Sequence, residues 1–82
     1  MDTGRWTEPV TYETATLGQY RTIASTAEAA RILLEDWPLS SGKNLRRAKT
    51  ACIAVLAGQQ DPETARAAFL KAAQEADIFV RP

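Results

Sequence analysis

The hydrophobic pattern of the chain changes its period at Ser25, and that change limits what the chain can fold into. Upstream, Val10-Thr11-Tyr12-Glu13-Thr14 alternates, with Val10 and Tyr12 on one side and Thr11 and Glu13 on the other. A strand with one wet face has this period of two. Downstream, apolar residues recur at intervals of three and four, as they do along one side of a helix. Strands come first and helices after, which is the order of an α+β domain.

Tyr20-Arg21-Thr22-Ile23 is a second β-rich run. Between the two runs, Ala15-Thr16-Leu17-Gly18-Gln19 supplies a glycine for a turn. Residues 6–24 therefore read as a β-hairpin. Pro9 has no N–H for a ladder, so the first strand is expected to be an edge strand or to begin there. Trp6 precedes that point and is expected to be partly exposed.

Three helices follow. Ser25-Thr26-Ala27-Glu28 is a capping box: the Ser25 hydroxyl accepts a backbone N–H and the Glu28 carboxylate reaches back to the cap. It opens a helix over residues 25–37, with Ala30, Leu33, Leu34 and Trp37 facing the core and Pro38 ending it. A second helix over residues 42–57 carries the apolar stripe Leu45, Ala48, Cys52, Val55 and Leu56, with Gly58 as a left-handed terminator. The third, over residues 61–77, has Asp61 as cap, Pro62 in the first helical position and Glu63 at the positive end of the dipole. Its inner face is Ala65, Phe69, Ala72, Ala73 and Ala76. Residues 78–81 are β-prone and allow a short third strand. The expected fold is an N-terminal hairpin packed on three helices, ββααα, in one domain of 82 residues.

These residues carry a resemblance. Ser25…Glu28-Ala29, Leu33-Leu34-x-x-Trp37-Pro38, Ala48-x-x-x-Cys52, Ala65-Arg66-x-x-Phe69-x-x-Ala72 and Ala76-x-Ile78 stand in that order. The chain resembles a group of small uncharacterised bacterial proteins, domain-of-unknown-function family 982, over nearly all its length from Val10 to Ile78. The resemblance implies a compact α+β domain of bacterial origin. It brings no activity, substrate or cofactor, so no functional residue is carried over.

Composition narrows the chemistry. Histidine is absent, which removes the side chain that most easily moves protons near neutral pH. Ser-His-Asp and Cys-His arrangements are therefore impossible within one chain, as are zinc sites built on His or on several Cys. Cys52 is the only cysteine, so no intrachain disulfide forms, which suits a reducing compartment. The N-terminal residues lack the apolar run of a signal peptide, and no stretch approaches a membrane span. The expected location is the cytoplasm, without a membrane partner. No catalytic residue, cofactor or metal is expected.

A few surface features are candidates for function. Lys43, Arg46, Arg47 and Lys49 give the second helix a local charge of +4, with no acidic residue between Leu39 and Gln60. Basic residues early in a helix oppose its dipole, which suggests a contact with phosphate or an acidic partner. Ser40-Ser41-Gly42-Lys43 is a candidate anion site at a helix N-terminus, although a plain serine cap explains it equally. Ten basic and ten acidic residues cancel overall, and no aromatic stacking platform accompanies the basic face, so nucleic acid is the less favoured partner. Cys52 and Trp37 are expected to be core residues. Ile32 and Leu70 break their helical patterns and, with Ile53 beside the basic face, are candidates for a partner contact. Ile32→Glu is accordingly expected to break that contact and leave the fold intact. The outer edge of the hairpin is a second candidate surface, since unpaired backbone groups there can pair with another chain. The leading expectation is a non-enzymatic protein-interaction or homo-oligomerisation module whose partner is another protein or a second copy in a homodimer. The alternative is a nucleic-acid-associated regulator using the basic face.

Overall fold

The computed structural model describes residues 4–14 and 16–81. Met1 to Thr3, Pro82 and Ala15 of the expected turn lie outside the described residues. The order is β1 (Arg5–Glu13), β2 (Tyr20–Ser25), α1 (Thr26–Glu35), α2 (Lys43–Leu56), α3 (Pro62–Glu75) and β3 (Val80–Arg81). The ββααα arrangement and the short third strand are both present.

The three strands form one antiparallel sheet in the order β2-β1-β3. The first strand is thus central, and the expectation that Pro9 marks an edge or a beginning is corrected. β1 and β2 pair regularly from Val10↔Ile23 to Glu13↔Tyr20, and again at Arg5↔Ser25. Between those registers β1 carries extra residues, and Pro9 lies among them, where no ladder hydrogen bond needs its N–H. The same irregularity turns Trp6 inward. It is 4% exposed, not partly exposed as its position suggested, and its indole Nε1 donates to Thr26 Oγ1 at 3.1 Å.

α1 packs against β2 and α3 against β1, while α2 lies on both helices and most extensively on α3. Ser25 caps α1 as expected. Its Oγ accepts the Glu28 N–H at 3.3 Å, and the Glu28 carboxylate accepts the Ala24 N–H at 2.9 Å, one residue before the cap. The buried face of α1 is Thr26, Ala29, Ile32 and Leu33. It is turned by roughly a quarter of a circle from the face formed by Ala30, Leu33, Leu34 and Trp37. Leu34 is 70% exposed, whereas Ile32 is 5% exposed and belongs to the core. The reason is Thr26, which a hydropathy pattern counts as polar. Its hydroxyl donates to Gly4 O at 2.8 Å and accepts from Trp6, and this turns the helix onto that residue's side. Trp37 lies past the end of α1, half-buried, with its ring 5.4 Å from that of Phe69.

In α2 the stripe Leu45, Ala48, Cys52 and Val55 is buried as expected, but Leu56 is exposed. The helix closes at Gly58, φ +78, with Gly58 N–H on Val55 O and Gln59 N–H on Ala54 O. This pairing of hydrogen bonds is the Schellman motif. In α3 the buried residues are Ala65, Phe69, Ala72 and Ala73. Asp61 holds the cap position without its side chain accepting a hydrogen bond, which corrects the cap expected there. The helix ends in a second Schellman motif, with Asp77 N–H on Gln74 O and Ile78 N–H on Ala73 O. Here the left-handed residue is Asp77, at φ +57.

A left-handed residue with a Cβ carries a steric cost that glycine avoids. Asp77→Gly is expected to raise the stability of the domain by about 0.5–1 kcal/mol, seen as a rise of several degrees in the thermal midpoint by circular dichroism.

Candidate functional site

β2 is an edge strand. Its inner neighbour β1 takes every second residue of the ladder, and the regular pairing shows which residues face out. Thr14 N–H donates to Gln19 O at 2.8 Å, and Glu13 N–H turns the other way, to Phe79 O at 2.9 Å. By the alternation of an antiparallel pair, Arg21 and Ile23 exchange hydrogen bonds with β1, and the N–H and C=O groups of Tyr20 and Thr22 point away from the sheet. Ala24 follows the same alternation, and its outward N–H is the one that Glu28 occupies. The Thr22 side chain lies on the face away from the helices, with its hydroxyl 2.8 Å from that of Thr11.

Beside this edge runs a groove of about 510 Å³ between β2 and α1. Arg21, Thr22 and Ile23 form one wall, and Glu28, Arg31, Ile32, Glu35 and Asp36 the other. Ile23 and Ile32, both almost wholly buried, give it a small apolar floor beneath largely polar walls. Two of the three carboxylates are paired, Asp36 with Arg21 at 3.4 Å and Glu35 with Arg31 at 3.5 Å. Among the described residues no cation pairs with Glu28.

Of the residues proposed from sequence for a partner contact, Ile53 is exposed on α2, at 69%. Leu70 is half-buried and packed against the core. Ile32 is a core residue, so Ile32→Glu would place a charge in the interior and unfold the domain. The expectation that it spares the fold is withdrawn, although one side of Ile32 does floor the groove.

Three of the four basic residues of α2 divide between two recesses, and Lys43 lines neither. Arg46 and Lys49 line a recess with Ser40, Ser41 and Gly42, while Arg47 lines another with Asn44, Thr64 and Lys71. Among the described residues none of Lys43, Arg46, Arg47 and Lys49 is in an ion pair. The anion position at the start of α2 is already filled from within. The Glu75 carboxylate, at the end of α3, accepts the Asn44 N–H at 2.9 Å and the Leu45 N–H at 3.1 Å. A Cβ at Gly42 would overlap that carboxylate, which is why a residue without one stands there. The Ser40-Ser41-Gly42-Lys43 segment thus seats the protein's own anion, and the reading of it as a site for a foreign one is corrected.

The model of one family, described as a protein of unknown function (DUF982), matches residues 8–80. The chain belongs to the DUF982 family. No curated protein and no solved structure matches it. The match begins within the irregular stretch of β1 and ends at the first residue of β3, so it takes in most of the sheet, the three helices and the whole β2–α1 groove.

Two polar groups in this DUF982 domain are shut away from solvent. Cys52 is buried in the α2 stripe, and burial pushes its thiol up to about 11. The indole N–H of Trp37 is buried and has no hydrogen-bond partner among the described residues. Among the described residues no group of three or more His, Cys, Asp and Glu is placed to hold a metal ion, and no helix is long and apolar enough to cross a membrane.

Native Cys52 is expected to react with a maleimide orders of magnitude more slowly than in the urea-unfolded chain, because the thiolate is scarce and the sulfur is covered. The Glu75 contact has a separate signature. Glu75→Ala is expected to cost about 1–3 kcal/mol in urea denaturation. Gly42→Ala displaces the same carboxylate, so the two together are expected to cost less than the sum of the two separately.

Proposed function

We propose that this domain is a non-enzymatic protein-interaction module that takes an extended segment of another chain onto the open edge of β2. The observation that carries the reading is the coincidence of that edge with the groove. The outward backbone groups of Thr22 border the same recess that Ile23 and Ile32 line, and those of Tyr20 continue the open edge beyond it. Strand addition uses both parts: main-chain hydrogen bonds hold the added strand, and a neighbouring pocket reads its side chains. Each backbone hydrogen bond contributes about 0.5–1.5 kcal/mol net. Association costs about 4 kcal/mol or more in lost freedom. The bonds at Tyr20 and Thr22 must therefore be joined by side-chain contacts inside the groove. Edge strands left open in this way also invite unwanted pairing, and the Glu28 carboxylate on Ala24 limits it by closing one end.

The alternative reading, a nucleic-acid-associated regulator, rests on the unpaired cations of α2. Arg46 and Lys49 line one recess and Arg47 another, so these three cations do not share a single track for a phosphate backbone.

Thr22→Pro separates the readings. Proline removes an N–H that points away from β1, so the hairpin ladder is kept and edge pairing is lost. Affinity capture from the host lysate with nuclease present is expected to yield a protein partner with the native domain and none with Thr22→Pro. Capture that is unchanged by Thr22→Pro would exclude the β2 edge. Recovery of nuclease-sensitive material alone, lost in an Arg46→Glu/Arg47→Glu variant, would establish the nucleic-acid reading instead.

A further inference from the structure

Resting on the strand-addition reading, we infer that the groove takes a short extended peptide, carrying an aliphatic residue and, two positions away, a basic one. The first step is a mismatch between layers. Helices with their side chains are about 10–12 Å wide, and neighbouring strands stand about 4.8 Å apart. Two helices on three strands therefore make a helix layer roughly 20 Å wide over a sheet roughly 14 Å wide. α3 sits on β1 and α1 on β2, so the excess falls at the β2 side, and the β2–α1 groove is the space beneath the overhang. A fourth strand without a helix of its own fills it.

A second copy does not. An antiparallel β2–β2′ pair about a two-fold axis would set α1 of both copies on the same face, over strands only about 4.8 Å apart. Packed helices need axes about 8–10 Å apart. The overhang that makes room for a peptide is what obstructs the homodimer through this edge.

The side-chain chemistry follows from the alternation. Residues of the added strand that face α1 lie across from Arg21, Ile23 and Ser25. The one across from Ile23 meets the Ile23–Ile32 floor, which calls for an aliphatic side chain. Toward Ser25 stands Glu28, the one groove carboxylate without a cation among the described residues, which calls for Lys or Arg. Arg21 and Arg31 are already matched by Asp36 and Glu35, so the other end asks for no net charge.

The test is selection of random octapeptides displayed on phage against the full-length native domain. The expected result is an enriched set with an aliphatic residue two positions from a basic one. The best synthetic peptide should lose at least tenfold in affinity on Thr22→Pro. It should lose as much when it is N-methylated at the residue facing Thr22, a change that leaves the protein untouched. Enrichment that is sensitive to both changes but lacks the basic residue would overturn the peptide chemistry and leave strand addition standing. Binding insensitive to N-methylation would overturn both. A protein that selects no peptide and sediments as a dimer, returned to a monomer by Thr22→Pro, would show that a second copy occupies the edge and overturn the inference.

Discussion

The domain is organised around one ring. Phe69 of α3 is fully buried, and the rings of Trp6, Tyr12 and Trp37 approach it at 6.0, 5.8 and 5.4 Å, each tilted or edge-on. Trp6 and Tyr12 belong to β1, and Trp37 to the segment leaving α1. The ring thus ties the central strand to α3 and fixes where α1 must end. Tilted and edge-to-face pairs add attraction beyond the area they bury, because the positive edge of one ring meets the negative face of another. A domain this small has little apolar surface to spare, and a shared aromatic partner concentrates what it has at one point. The alanines of α3 at 65, 72 and 73, all fully buried, let neighbouring elements come close enough to reach it.

A second set of constraints is polar. Thr26 joins Trp6 to Gly4 through buried hydrogen bonds, and so ties the start of α1 to the start of β1. Glu75 joins the end of α3 to the beginning of α2. Arg66 of α3 donates to the Glu8 carbonyl at 2.9 Å, in the irregular stretch of β1 where that oxygen is not used by a regular ladder. Each contact satisfies a backbone group that the regular elements leave unpaired, and unpaired backbone groups are costly once buried.

Much of the architecture was legible from local signals, since local signals set it. The period change at Ser25, the capping box, the left-handed close at Gly58 and the Pro62 start of α3 all act within a few residues. The buried face of α1 was not legible, because it turns on Thr26, whose partners stand 20 and 22 residues away. Leu34 and Ile32 exchanged roles for that reason. Trp6 and Pro9 depart together from what their neighbours in sequence imply, since both depend on an irregular register that only the paired strands reveal. The candidate anion site at Ser40 to Lys43 had the right chemistry, but its occupant lies some 30 residues along the chain. The edge of the hairpin could be named from sequence. The groove beside it could not, because it arises from the offset of a helix relative to a sheet.

The Glu75 contact also shapes how the molecule comes apart. α2 and α3 are joined by the chain at one end, from Ala57 to Asp61, and by a carboxylate at the other. The pair is a closed hairpin with no loose end from which to fray. Local opening then falls to the other half, where β2 has an open edge and α1 carries a solvent-facing flank. The half that borders the groove has an edge and a flank that no such clasp closes, so its local opening is expected to cost less than that of the closed helical hairpin.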